Sequence, residues 1–198
     1  METRMMKMKA PKIREDGGKK YLEGYFAVFG QTYEVWKGWT ETIERGAFSG
    51  YLASGKDTKV LWNHDSNIVL GSTANGTATL REDDVGLWGS VEINENDQEA
   101  VNGYARIARG DVDGCSFGFD IERMEESWDD EGNYHTKILS IDPLYEVSPC
   151  TFPAYTATSI SARAKEALED ARARYEEAKK QRRDNWRKTM KTRLKGAN

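Results

Sequence analysis

The chain reads as a mainly β protein with flanking helices, an α+β fold. The expected architecture is a small closed or nearly closed antiparallel barrel of about seven strands, with one long C-terminal helix behind it. Three observations predict this. Short aromatic or alternating segments separated by turn residues recur between residues 20 and 150. Only two stretches in that span carry helical spacing. From Ala162 to Lys195 there is no Pro and no Gly, and Ala, Glu, Lys and Arg dominate, all of them strong helix formers.

Tyr21–Phe29 is aromatic and strand-like, with Gly24 marking a bulge or a close approach. Gly46–Ser54 predicts a short helix. Lys59–Trp62 is an apolar strand ending in the polar Asn63-His64-Asp65. Thr77–Leu80 and Gly86–Ile93 predict a hairpin through Glu82-Asp83-Asp84. Asp97–Arg109 places Ala100, Tyr104, Ile107 and Ala108 at helical spacing, with Asn96 as N-cap and Gly110 as terminator. Asp113–Ile121 alternates after its serine, with Phe117 and Phe119 on one face, and Thr136–Ile141 and Leu144–Val147 complete the strands. No internal repeat is present.

Charge divides the chain. Residues 1–159 hold 16 Lys/Arg against 27 Asp/Glu, whereas residues 160–198 hold 13 against 6. The division predicts a basic N-terminal arm over 1–19, a folded body over 20–161 and a basic helical tail over 162–198. Within the tail, Ala164, Leu168, Ala171, Tyr175 and Ala178 fall at alternating spacings of four and three, a narrow apolar seam. One reading of the tail is a solvated helix. The other is a docking segment for a partner helix or an acidic surface. Trp186 among Arg182, Arg183, Arg187 and Lys188 is weak support for nucleic acid, since the body is acidic.

Several classes are excluded. No apolar run reaches the roughly 18 residues of a membrane helix. The segment Met1–Lys12 lacks the apolar stretch of a secretory signal, so an intracellular protein is expected. Two cysteines, Cys115 and Cys150, cannot supply a disulfide framework or a four-thiolate zinc site, and no metal or organic cofactor is expected.

Four segments carry unusual chemistry. Asn63-His64-Asp65 puts one of only two histidines, the other being His135, at a strand end. Gly114-Cys115-Ser116-Phe117-Gly118 matches the G-x-S-x-G of α/β-hydrolases, but that motif needs a strand before the serine and a helix after it. Here the predicted order is the reverse. Glu146 lies inside the otherwise apolar Leu144–Val147, where a buried carboxylate needs hydrogen bonds or a cation; an exposed edge-strand glutamate fits the local pattern equally well. Cys115 beside Ser116 is chemically able to act as a nucleophile, though a free cysteine is more often a small buried hydrophobe.

In order, LEGYFAVFG (22–30), ETIERGAF (41–48), LWNHD (61–65), ARIARGDVDG (105–114), SFGF (116–119) and EVSPCTFPAY (146–155) resemble the prohead proteases of tailed bacteriophages. The resemblance covers roughly residues 20–163 and implies a fold similar to the herpesvirus assemblin serine proteases. It implies a capsid-maturation serine endopeptidase acting in the host cytoplasm, inside the assembling procapsid. It implies His64, Ser116 and Glu146 as the catalytic residues. Read from the residues, backbone N–H groups of the glycine-rich segment, those of Gly114, Cys115 and Phe117, are the candidates to support the oxyanion. Implied partners are coat and scaffold proteins as substrates, the chain itself as a further substrate, and a second copy in a homodimer, with the tail binding scaffold or coat. Membrane and nucleic acid are not among them. The competing class is a non-enzymatic scaffold or assembly protein of a phage shell, which would keep Ser116 and His64 far apart.

Overall fold

The computed structural model describes residues 2–6, 11–151 and 158–195, with side chains for 11–151 and 164–191. Its elements, in order, are β1 (Glu2–Met6), β2 (Lys12–Asp16), β3 (Lys19–Val28), β4 (Tyr33–Trp36), β5 (Trp39–Ile43), α1 (Ser49–Ala53), β6 (Lys59–Trp62), β7 (Asp65–Ser72), β8 (Ala78–Glu82), β9 (Gly86–Glu92), α2 (Gln98–Arg109), β10 (Gly114–Trp128), β11 (Tyr134–Cys150) and α3 (Thr158–Lys195).

The spine is the long β10–β11 hairpin. β11 is a single strand of 17 residues that runs through Asp142-Pro143, where two separate strands were expected. Its length lets it seat two short parallel neighbours on the edge away from β10. β5 pairs with Tyr134–Ile138, and β6 pairs with Glu146 and Val147. β1 lies on the far side of β10, with Met5 opposite Ser116. The resulting seven-stranded sheet is ordered β1-β10-β11-β5-β4, with β6 and β7 branching from β11. A second, four-stranded sheet is ordered β2-β3-β9-β8.

Neither sheet closes, so the expected barrel is replaced among the described residues by two open sheets. The core is sealed by side chains rather than by a ladder. Leu22, Phe26, Leu87 and Val91 of the smaller sheet join Val60, Phe117, Phe119, Ile138, Leu144 and Val147 of the larger one. Phe117 and Phe119 stack at 4.9 Å between ring centroids, and Phe48 meets Phe117 edge-on. Burial of each such ring stabilises the fold by about 1.5–3 kcal/mol. Four register shifts in β10 between Gly118 and Met124 bend the hairpin as it leaves this core.

Both expected helices form. α2 starts one residue later than the expected Asn96 cap. Asp97 is extended, and its side chain accepts from the N–H groups of Glu99 and Ala100. Gly110 ends the helix with φ +85°, a conformation glycine adopts at little cost. Gly24 is a close approach as expected, since a Cβ there would lie 3.2 Å from Pro11. Ala164, Leu168 and Ala171 of the tail seam are buried against Trp39 and Tyr134. Tyr175 stacks on Trp128 at 5.2 Å. Beyond that contact Trp186 is 61 % exposed.

Candidate active site

The site begins at a turn. Trp62 pairs with Asp65 across the β6–β7 hairpin, leaving Asn63 and His64 as a two-residue connection. Their φ angles are +52° and +62°. A type I′ hairpin turn needs positive φ at both central residues, which asparagine tolerates well and histidine less so. The strained conformation is held from both sides. The Asn63 backbone N–H donates to the Pro149 carbonyl at 3.1 Å. The Asn63 side chain exchanges two bonds with Thr151, donating at 3.2 Å and accepting at 2.8 Å. On the strand side, buried Trp62 packs on α2, where a Cβ at Gly103 would lie 3.0 Å from the indole. The turn is therefore fixed to the end of β11 and to α2 at once.

That placement aims the imidazole at β11. His64 Nδ1 lies 2.7 Å from Glu146 Oε1. Glu146 is 5 % exposed, and its other oxygen accepts from the Ser148 hydroxyl at 2.5 Å. The Ser148 oxygen in turn accepts the His64 backbone N–H at 3.3 Å. With Nδ1–H donating to the carboxylate, Nε2 carries the lone pair. Nε2 is shielded from solvent and makes no hydrogen bond among the described residues.

Cross-strand register brings the serine to the same face. Ser116 is directly opposite Ser148, and Gly118 is directly opposite Glu146. Directly opposed residues share a face, as do residues two apart on one strand. Ser116, Ser148 and Glu146 therefore lie on one side of the hairpin, the side met by the His64 turn. Ser116 is fully buried. It does not bond His64 Nε2, so an engaged serine–imidazole pair is not formed in this structure.

Ser116 sits near the start of β10, which follows α2 and runs on as strand to Trp128, so no helix directly follows the serine and the α/β-hydrolase arrangement is excluded. Cys115 and Phe117 lie near the start of β10, paired with β1 on one side and β11 on the other, while Gly114 opens the strand opposite Cys150. Cys115 is buried, and burial pushes its thiol far above the ordinary range. The Cys150 thiol is pushed up to about 12 by burial and by the charge of Glu146. Neither is suited to nucleophilic attack at neutral pH.

His135 lies elsewhere, thirteen residues from Ser148 along β11. Its Nδ1 is 2.6 Å from Thr40 Oγ1 and its Nε2 is 3.1 Å from Asp129. Both ring nitrogens are engaged, unlike those of His64. Asn63, Ser148 and Thr151 are parts of the site that sequence reasoning left unassigned. Only Ser148 carried a signal, its spacing of two from Glu146 in a strand. The segment Pro153-Ala154-Tyr155 lies outside the described residues.

A family model for the caudovirus prohead serine protease matches residues 6–172. A prohead protease of Enterobacteria phage HK97 is 28% identical over 153 residues, which cover 76% of this chain and 63% of that relative. The chain therefore spans under two thirds of that relative's length. No solved structure matches.

Proposed function

Because the chain belongs to the caudovirus prohead serine protease family, we propose that it is a serine endopeptidase that cleaves coat and scaffold proteins, and itself, during prohead maturation. Its place of action is the assembling procapsid in the host cytoplasm. Ser116 is the nucleophile, His64 the general base and Glu146 the residue that orients the imidazole and stabilises its charged form.

A serine hydroxyl is a poor nucleophile at neutral pH, so a base must take its proton as the oxygen attacks. His64 Nε2 is the atom for this. The observation that carries the reading is the 2.7 Å contact between His64 Nδ1 and Glu146, which leaves a desolvated, unpartnered Nε2 beside the strand pair bearing Ser116. Attack requires Ser116 Oγ to come within about 2.6–3.2 Å of Nε2, a contact that commonly tightens only with substrate bound. The peptide carbonyl carbon gains the Ser116 oxygen, and the proton moves to Nε2. The buried Glu146 carboxylate stabilises the imidazolium so formed. The same proton then passes to the leaving amine as the peptide C–N bond breaks, and water releases the acyl group by the reverse roles.

The oxyanion donors are backbone N–H groups of Gly114, Cys115 and Phe117. The reading needs no metal or organic cofactor. A second copy, and a scaffold or coat surface for the basic end of α3, are the proposed partners beyond the substrates.

The test is incubation with the coat and scaffold proteins of the same phage, wild type against Ser116→Ala, with new termini mapped by mass spectrometry. Cleavage by wild type alone supports the reading. Cleavage by neither would favour the scaffold class instead, and equal cleavage by both would remove Ser116 as the nucleophile.

A further inference from the structure

We propose that Ser148 is a positioning residue of this site, acting through Glu146 and His64 rather than on substrate. The inference deepens the serine-protease reading and rests on it. The geometry is specific. One fully buried hydroxyl donates its single proton to Glu146 Oε2 at 2.5 Å and accepts the backbone N–H of His64 at 3.3 Å. It thereby joins the two members of the pair a second time, independently of the ring contact. The donated bond occupies one carboxylate oxygen, so Oε1 is left to face Nδ1. The accepted bond holds the backbone of a residue at φ +62°, where the chain would otherwise relax.

Ser148 is also the residue directly across from Ser116, so the two hydroxyls share one face with different duties. The Ser148 proton is committed to a carboxylate rather than to the imidazole, which makes it a poor second nucleophile. Its effect on the reaction is orientation. Loosening a positioned base by about 1 Å costs on the order of 10²-fold in rate.

The measurement has two independent readouts. The first is the NMR signal of the His64 Nδ1–H proton, recorded in the Ser116→Ala background and assigned by its loss in Glu146→Gln. In Ser148→Ala this signal is expected to vanish into solvent exchange, and in Ser148→Thr, which keeps the hydroxyl, to return. The second is kinetics on a peptide spanning a mapped cleavage junction, with Ser116 intact. Ser148→Ala should lower kcat by about 10- to 100-fold with KM unchanged, and Ser148→Thr should restore it. Ser148→Cys, a near-isosteric weak donor, serves if the alanine variant does not fold and should behave like it. An Nδ1–H signal and kcat both unchanged in Ser148→Ala or Ser148→Cys would overturn the proposal. So would a kcat loss with the signal intact. Absence of proteolysis in wild type would instead sink the protease reading, and the NMR comparison would then decide by itself whether Ser148 holds the imidazole.

Discussion

His64 and Glu146 are 82 residues apart in sequence, yet imidazole Nδ1 and carboxylate Oε1 meet at 2.7 Å. Two structures make the meeting possible. A two-residue turn with positive φ projects the ring, and β11 carries the carboxylate past it next to β6. The contact consumes the one donor the ring must give up if its other nitrogen is to act as a base.

Removing the reacting groups should abolish turnover without unfolding the protein. Ser116→Ala and His64→Asn are each expected to lower kcat by about 10⁴- to 10⁶-fold. Asparagine is the better replacement at position 64 because it tolerates positive φ, whereas alanine there adds backbone strain. Circular dichroism and Tm should stay near wild type for both. Retained cleavage in either variant would remove that residue from the mechanism.

Glu146→Gln should keep the packing while exchanging a charge for a neutral amide. A neutral partner stabilises the imidazolium poorly and can favour the wrong tautomer. We expect kcat to fall by about 10⁴-fold, with KM little changed. Steady-state kinetics on a junction peptide checks this, and a loss of less than tenfold would place the acid of the site elsewhere.

His135→Ala should leave proteolysis unchanged. The ring is held by Thr40 and Asp129 on the distal part of the hairpin, and partly exposed contacts of this kind contribute at most about 1 kcal/mol. An inactive His135→Ala enzyme, with His64→Asn active, would exchange the two histidines.

The thiols should be silent at neutral pH. Native enzyme treated with iodoacetamide is expected to keep its activity and to incorporate label only after denaturation. Burial raises the folded-state value of Cys150 to about 12, above its ordinary value of 9.0. The neutral thiol is therefore favoured by folding. That contribution is fully present below about pH 9 and is lost as pH rises toward about 12. The fall in Tm between pH 8 and pH 10 should be smaller in Cys150→Ala than in wild type; an equal fall would mean that Cys150 does not report on folding in this range.

The tail is fixed at its near end by a small apolar contact. Leu168→Ala should weaken docking of α3 against Trp39 and Tyr134 by about 2 kcal/mol, at the low end for a buried leucine. Limited proteolysis is the sensitive probe. Faster cutting within α3, with the body intact, is expected, and an unchanged digestion pattern would show that the seam does not hold the helix.

Several features could be read from local pattern alone. The α2 helix, the β6 strand, the β8–β9 hairpin and the seam of α3 depend on spacing, caps and turn residues within a dozen positions of each other. The reversed order of helix and strand around Ser116 was legible for the same reason and was enough to set aside the α/β-hydrolase arrangement. The pairings were not legible. β1, β2, β4, β5 and β7 lacked a strong alternating signal, and β11 hid its continuity behind Asp142-Pro143. Asn63-His64 does not read as a hairpin turn, because the glycine that usually marks one is missing.

The sequence by itself determined the chemical inventory: two histidines, two cysteines, a glycine-flanked serine and a glutamate in an apolar strand, with an acidic body and a basic tail. Only the tertiary structure decided which of these meet. Glu41 and Glu146 are both buried carboxylates in strands. Glu41 is satisfied by Tyr33 and Thr136, whereas Glu146 takes His64 and Ser148. Nothing local separates the two. Burial demands a partner for each carboxylate, and strand register between distant segments decides which partner it receives.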